Sequence, residues 1–271
     1  MPLIITPLQT TAQNSKAQTS DEEIWQQWMA WLPTAPPVDN MATVLREFRA
    51  HQVASGFSAE EADWQLTVVI RLNHDRTDGR QVIFNKIYSN STPGFSTQPS
   101  GLLVTTVEGR NPGRALDIGM GQGRNSVFLA LKGWDVTGFD ISDEGITVAR
   151  KNAERAGVKL NAVCESDKAF DYGSNQWDLI AFIYGPFPVT TAAYVERLHK
   201  SMKVGGVIVI ESFCQEVSTP NRPSTVDPGQ LLAAFKDFRL LFYEDTLAKS
   251  EWRPPDAGET RIVRMVAEKR P

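Results

Sequence analysis

The chain has 271 residues, 41% hydrophobic and 22% charged, long enough to bury a full core and ordinary in composition for a soluble globular protein. Its formal net charge of −4 argues against a general polyanion binder, whose phosphate-neutralising surface is basic, so nucleic acid is a disfavoured partner. No apolar run reaches the ~18 residues of a membrane span. Cys164 and Cys214 fall in predicted strands without metal spacing and read as buried structural thiols.

Residues 1–19 lack the basic flank and long apolar core of a signal peptide and read as a flexible polar tail. A cytoplasmic location is expected, with the trimmed remnant of an export signal as the alternative. Ser20, followed by Asp21, Glu22 and Glu23, caps a first helix with Ile24, Trp25, Trp28, Met29 and Leu32 at helical spacing. Residues 41–53 form a second amphipathic helix. Ser58-Ala59-Glu60-Glu61 is a capping box that opens a third, running to about residue 73 and broken over 75–79. Residues 20–81 are therefore expected as a helical cap, either packed over the domain that follows or serving as a homodimer surface. His51 and His74 sit at helix ends there and read as solvated or capping groups.

Residues 82–99 carry Asn85-Lys86-Ile87-Tyr88, Pro93-Gly94-Phe95 and Gln98-Pro99 ahead of a helix at about 100–108. An apolar strand (115–118) then runs into Gly119-Met120-Gly121-Gln122-Gly123, a helix (125–132) and a second strand (134–139) ending in Asp140. Glycine lets the backbone turn sharply and a ligand approach closely. The N–H groups at the helix start, around Arg124 and Asn125, favour polar or anionic ligand groups. A carboxylate closing the second strand can accept from both hydroxyls of a ribose. These features define a nucleoside site at the carboxyl ends of two parallel strands.

Dinucleotide loops space their glycines as Gly-x-Gly-x-x-Gly. Here the third glycine comes one residue early and Asp117 stands two residues before the first. The Asp-x-Gly-x-Gly-x-Gly pattern of Asp117, Gly119, Gly121 and Gly123 resembles the first motif of the class I S-adenosylmethionine-dependent methyltransferases. The stretch from Gly119 to Ser142, with the segment before it, looks like the thiol, thiopurine and tellurite-resistance branch of that class. The resemblance covers about residues 82–269. It implies an α/β domain over 82–271: a Rossmann-like, seven-stranded, mostly parallel sheet with an antiparallel C-terminal hairpin and helices on both faces, preceded by the N-terminal helical extension.

By position it implies that Ile141 and Ser142 flank the adenosine, that Asp167 receives the adenine amino group with the Lys168 backbone beside it, and that Tyr88 and Phe95 lie across the sulfonium as an aromatic lid. Phe95 stands where the family commonly has tryptophan, and Met120 where it often has cysteine. Further along, 143–156 reads as a helix capped by Ser142, 159–164 as a strand, and 177–183 as a central strand buried on both faces. That strand emerges into Tyr184-Gly185-Pro186-Phe187, which departs from the Asn/Asp-Pro-Pro-Tyr of nucleic-acid amino methyltransferases. A helix (191–202), a Lys203–Gly206 turn, a strand (207–213), a helix capped at Asp227, and strands at 238–243 and 261–268 complete the pattern.

Methyl transfer is an in-line displacement at an activated carbon, so alignment is the enzyme's main contribution, worth about 7–11 kcal/mol. A soft acceptor such as a thiolate needs no strong base, whereas an amine or hydroxyl does. Tyr184 and Glu211, with Tyr88 from the lid, are the catalytic candidates. Glu211 has a structural alternative as partner of the loop at Asn221-Arg222, and His199 is expected near the surface. A small-molecule acceptor follows. The competing expectations are a non-catalytic S-adenosylmethionine-binding scaffold and an NAD-dependent enzyme in the same crevice.

Overall fold

The computed structural model describes residues 19–90, 94–214, 225–252 and 258–271. The tail over 1–18, Pro93, the Asn221-Arg222 loop and Pro254-Pro255 lie outside the described residues. Four helices open the chain: α1 (Asp21–Trp31), α2 (Met41–Ala54), α3 (Ala59–Asp75) and α4 (Thr77–Tyr88). Capping boxes at Ser20/Glu23 and Ser58/Glu61 start α1 and α3 as expected. Their apolar faces meet in a separate core where Trp28 and Trp31 close around Phe48, with Trp28 edge-on at 4.9 Å.

The expected break over 75–79 shrinks to Arg76, and Asp78 and Gly79 lie inside α4. Gly79 does not break the helix but lets it approach α1: a Cβ there would come within 2.4 Å of the Trp25 ring. Helix α4 thus crosses residue 82, where the expected helical cap ended. Ile83 and Ile87 are buried in the helical core, while Asn85 and Tyr88 reach the α/β part.

Next come α5 (Gly101–Val107), β1 (Arg114–Ile118), α6 (Arg124–Leu131), β2 (Asp135–Asp140), α7 (Asp143–Arg155), β3 (Asn161–Cys164) and β4 (Trp177–Ile183). They are followed by α8 (Ala192–Ser201), β5 (Met202–Cys214), β6 (Thr225–Val226), α9 (Pro228–Ala234), β7 (Arg239–Lys249) and β8 (Glu259–Glu268). Among the described residues the sheet order is β3-β2-β1-β4-β5-β8-β7, parallel except for β8 against β5 and β7. This is the expected seven-stranded arrangement. The two-residue β6, paired parallel to the end of β5, makes an eighth strand.

Alternation along the central strands explains the layers. Leu116, Ile180, Phe182, Ile208 and Ile210 pack beneath α8 and α9, while Ala115, Leu179, Ala181, Val207 and Val209 pack with Leu103 of α5 and Leu129 of α6. The expected Lys203–Gly206 turn is a bulge within β5: pairing steps from Trp177↔Met202 to Leu179↔Val207, with Gly205 at φ +79°. Cys214 is buried as expected, but Cys164 is exposed, because it ends the edge strand β3. Among the described residues, no helix is long and apolar enough to cross a membrane.

Candidate functional site

Strands β1, β2 and β4 end side by side, and the loops leaving them build the site. After Ile118 the backbone takes positive φ at Gly119 (+68°), Gly121 (+52°) and Gly123 (+79°), values that non-glycine residues adopt only with strain. The loop is pinned to β2: Met120 N–H donates to the Phe139 carbonyl at 3.0 Å and Gly121 N–H to Asp140 Oδ2 at 2.9 Å. Asp140 Oδ1 accepts from Ser142 N–H, also at 2.9 Å. Burial raises the Asp140 pKa above the ordinary carboxylate range, against these backbone donors. Asp140 lines the large cleft, and a carboxylate oxygen that accepts one backbone N–H keeps capacity for a second donor.

That cleft encloses about 1120 Å³. Of the residues singled out in the sequence, Tyr88, Gly119, Asp140, Ile141, Asp167, Lys168 and Tyr184 line it. A second cavity of about 30 Å³ adjoins it, walled by Tyr88, Phe95, Met120, Gly121, Arg124 and Asn125 among others. The two share Tyr88, Gly119, Ile183 and Trp252 in their walls.

Four candidate residues do not reach either wall. Asp117 is buried under the loop, accepting from Ser126 Oγ at 2.6 Å; burial pushes its pKa up to about 6. Gly123 sits against α7, where a Cβ would come 3.0 Å from that of Ala149. Ser142 caps α7, accepting from Gly145 N–H, and donates through Oγ to Asn85 of α4 at 2.7 Å. Glu211 is fully buried, accepting from Ser100 Oγ (2.8 Å), Tyr184 Oη (2.5 Å) and Arg264 Nε (3.4 Å).

Tyr184 follows β4 at φ +59°, a strained value held by its N–H to the Glu211 carbonyl at 2.7 Å. Burial, and then the Glu211 charge, raise its phenol pKa, so its proton stays in place. Burial also raises the pKa of Tyr88, whose hydroxyl rests on Gly121: a Cβ there would lie 2.2 Å from it. Asp167 accepts through Oδ1 from Tyr172 Oη (2.5 Å) and Tyr194 Oη (2.7 Å), with Arg197 on Oδ2 at 3.4 Å. His199, in the last turn of α8, packs edge-on against Phe238 at 5.3 Å.

Sequence reasoning missed several wall residues. Thr67, Ile70 and Arg71 of α3, and Arg80 and Phe84 of α4, line the large cleft, so the N-terminal helices supply one side of it. Phe187 packs beside Gly119, and Trp252 comes from the β7–β8 connection. Phe187 sits in the segment read only for its departure from a nucleic-acid motif, and nothing local to Trp252 marks it. Among the described residues no group of three or more His, Cys, Asp or Glu gathers to hold a metal.

This sheet order, the pinned glycine loop and the acid closing β2 are the arrangement that the resemblance to the class I S-adenosylmethionine-dependent methyltransferases implies, and residues 115–206 match the model of the family described as "Methyltransferase domain". The chain is 27% identical to the probable S-adenosyl-L-methionine-dependent methyltransferase TehB of Haemophilus influenzae, over 62% of this chain and 59% of that protein. It therefore spans about three fifths of the length of that curated relative. The crystal structure of TehB from Haemophilus influenzae superposes with a TM-score of 0.56 at 22% identity, covering 70% of this chain and 67% of that one. A structure titled for conversion of a disulfide bond into a thioacetal group during echinomycin biosynthesis has the same TM-score at 18% identity, covering 72% and 92%; both structures share the fold.

The cofactor of this class is S-adenosylmethionine, and the residues present fit it. Asp140 offers two acceptor oxygens on the large cleft. Arg124, in the wall of the small cavity, donates through Nη1 to the carbonyls of Gln98 and Glu251, while its Nη2 is buried with no hydrogen-bond partner among the described residues. A buried guanidinium nitrogen left without an acceptor suits the carboxylate of a bound amino acid.

Proposed function

We propose that this protein moves the methyl group of S-adenosylmethionine to a small-molecule nucleophile, a thiol or comparably soft atom. The cofactor supplies an electrophilic methyl carbon, and the chain supplies placement. Asp140 takes the ribose hydroxyls, Arg124 the carboxylate, and the Tyr88–Phe95 lid covers the centre. Asp167, held by two tyrosine hydroxyls and Arg197, faces the adenine side.

The observation that carries the acceptor class is the Tyr184–Glu211 pair. The tyrosine proton points into a buried carboxylate that also accepts from Ser100 and Arg264, so neither group is presented to the cleft as a free base. A nucleophile that needs its proton removed finds no free base in this pair, whereas a thiolate arrives with its electron pair available. The large cleft, at about 1120 Å³, lies just above the roughly 300–1,000 Å³ that small-molecule sites occupy.

The test is release of S-adenosylhomocysteine from the purified protein across thiols, halides, amines and phenols. Turnover is expected with thiols, and turnover confined to amines or phenols would refute the acceptor class. For the cofactor itself, Asp140→Ala removes a two-point contact and should weaken binding by about 2–3 kcal/mol, roughly 30- to 150-fold. An unchanged dissociation constant by calorimetry would refute the ribose assignment.

A further inference from the structure

Helix α4 presents two neighbouring stripes, each with residues four apart. Gly79, Ile83 and Ile87 face the helical core, the isoleucines within it and Gly79 against the Trp25 ring. One residue further on, Arg80, Phe84 and Tyr88 form the second stripe, and all three line the large cleft. The docking of the first stripe on the helical core therefore fixes how the second meets the cleft.

The two ends of this stripe belong to different parts of the cleft. At one end the Tyr88 hydroxyl rests on Gly121 of the glycine loop. Arg80 lies eight residues earlier, about 12 Å back along the helix axis. There Nη1 donates to the carbonyl of Pro186 at 3.3 Å, which holds the half-buried guanidinium over the loop leaving β4. Phe84 lies between, its ring stacked at 6.3 Å from that of Tyr88. Val189 and Val226 add apolar surface to the same cleft. Arg71 of α3, paired with Asp21 Oδ2 at 2.6 Å, brings a second cation to the wall that the N-terminal helices supply.

Resting on the thiol-methylation reading of this cleft, we propose that Arg80 is a specificity-determining residue that binds an anionic group, such as a carboxylate, at the end of the acceptor remote from its sulfur. A guanidinium stays charged at all working pH values and offers five N–H donors in a planar fork, so one bond to Pro186 leaves donors that match a carboxylate. The acceptor class is then an anionic thiol: sulfur towards the Tyr88 end, an apolar middle along Phe84, and the charge on Arg80. The N-terminal helices thus select the acceptor, while the sheet and its glycine loop hold the cofactor.

The test pairs two thiols that differ only in the remote charge, 6-mercaptohexanoate and 6-mercaptohexanamide. Release of S-adenosylhomocysteine is followed at saturating cofactor for the wild type, Arg80→Gln and Arg80→Lys, with circular dichroism checking the fold. The wild type should prefer the carboxylate. In Arg80→Gln, kcat/KM for 6-mercaptohexanoate should fall roughly 10- to 150-fold, mostly through KM, while that for the amide moves by less than about threefold. Arg80→Lys keeps the charge without the fork and should fall between. Should both variants fold poorly, the wild type still decides: hexanoate should inhibit thiol turnover and hexanamide should not. A wild type that methylates both thiols equally, or an Arg80→Gln protein that loses both in the same proportion, would mean that Arg80 only supports the Pro186 loop, and overturns this proposal alone. If the wild type methylates neither thiol, the thiol reading falls and this proposal with it.

Discussion

Glu211 separates a structural role from a catalytic one. The carboxylate is fully buried and accepts from Ser100 Oγ, Tyr184 Oη and Arg264 Nε. In Glu211→Ala, two hydroxyls lose their acceptor in the interior and Arg264, with a side chain 18% exposed, keeps Glu244 at 3.0 Å. Breaking a buried ionic network by removing one partner costs about 3–5 kcal/mol. For a chain of this length that is a fall in melting temperature of roughly 6–10 °C. Glu211→Gln keeps the shape and one acceptor oxygen, but turns an amide donor towards one of the hydroxyls that now donate. It should lose less stability, with thiol turnover reduced by less than about tenfold. The assay is thermal and urea unfolding of both variants, alongside single-turnover rates at saturating cofactor. A Glu211→Ala protein within about 1 kcal/mol of wild type would refute the network argument. So would a Glu211→Gln protein with unchanged melting temperature and a rate lowered by about 100-fold or more, the behaviour of a general base.

Asp117 makes a pH-dependent prediction. Its pKa in the folded state is about 6, raised by burial, so the folded protein holds a proton there that the unfolded chain has released above about pH 4. Its contribution to stability is therefore present at low pH and lost as pH rises towards 6. Relative to Asp117→Asn, the wild type should gain about 2 kcal/mol between pH 7 and pH 4.5 in urea unfolding, and a parallel pH dependence of the two would refute it. Gly121→Ala should destabilise by at least about 1–2 kcal/mol from the left-handed backbone alone. It should also weaken cofactor binding, because the buried Tyr88 ring has to move off the loop. Calorimetry and urea unfolding check both effects, and wild-type affinity would show that Tyr88 is not part of the lid.

What the linear chain determined is whatever is encoded locally. The capping boxes at Ser20 and Ser58, the apolar run of 177–183, and the glycine loop from Asp117 to Asp140 each need only neighbours in sequence, because helix starts, buried strands and tight turns are set by short-range backbone chemistry. The mostly parallel sheet with its antiparallel C-terminal hairpin followed from those pieces with the resemblance they carry, and its strand order came from the tertiary structure. Tertiary structure decided the rest. Gly79 sits inside a helix because Trp25 presses against it, a contact between residues more than fifty positions apart. Tyr184 and Glu211 are catalytic candidates when read singly, yet they satisfy each other once β4 and β5 lie side by side. Trp252 reaches the wall of the small cavity beside Arg124, which donates to the Glu251 carbonyl more than 120 residues along the chain. Side chains gathered from distant segments leave no periodic trace in any one of them, so packing alone shows which of them share a site.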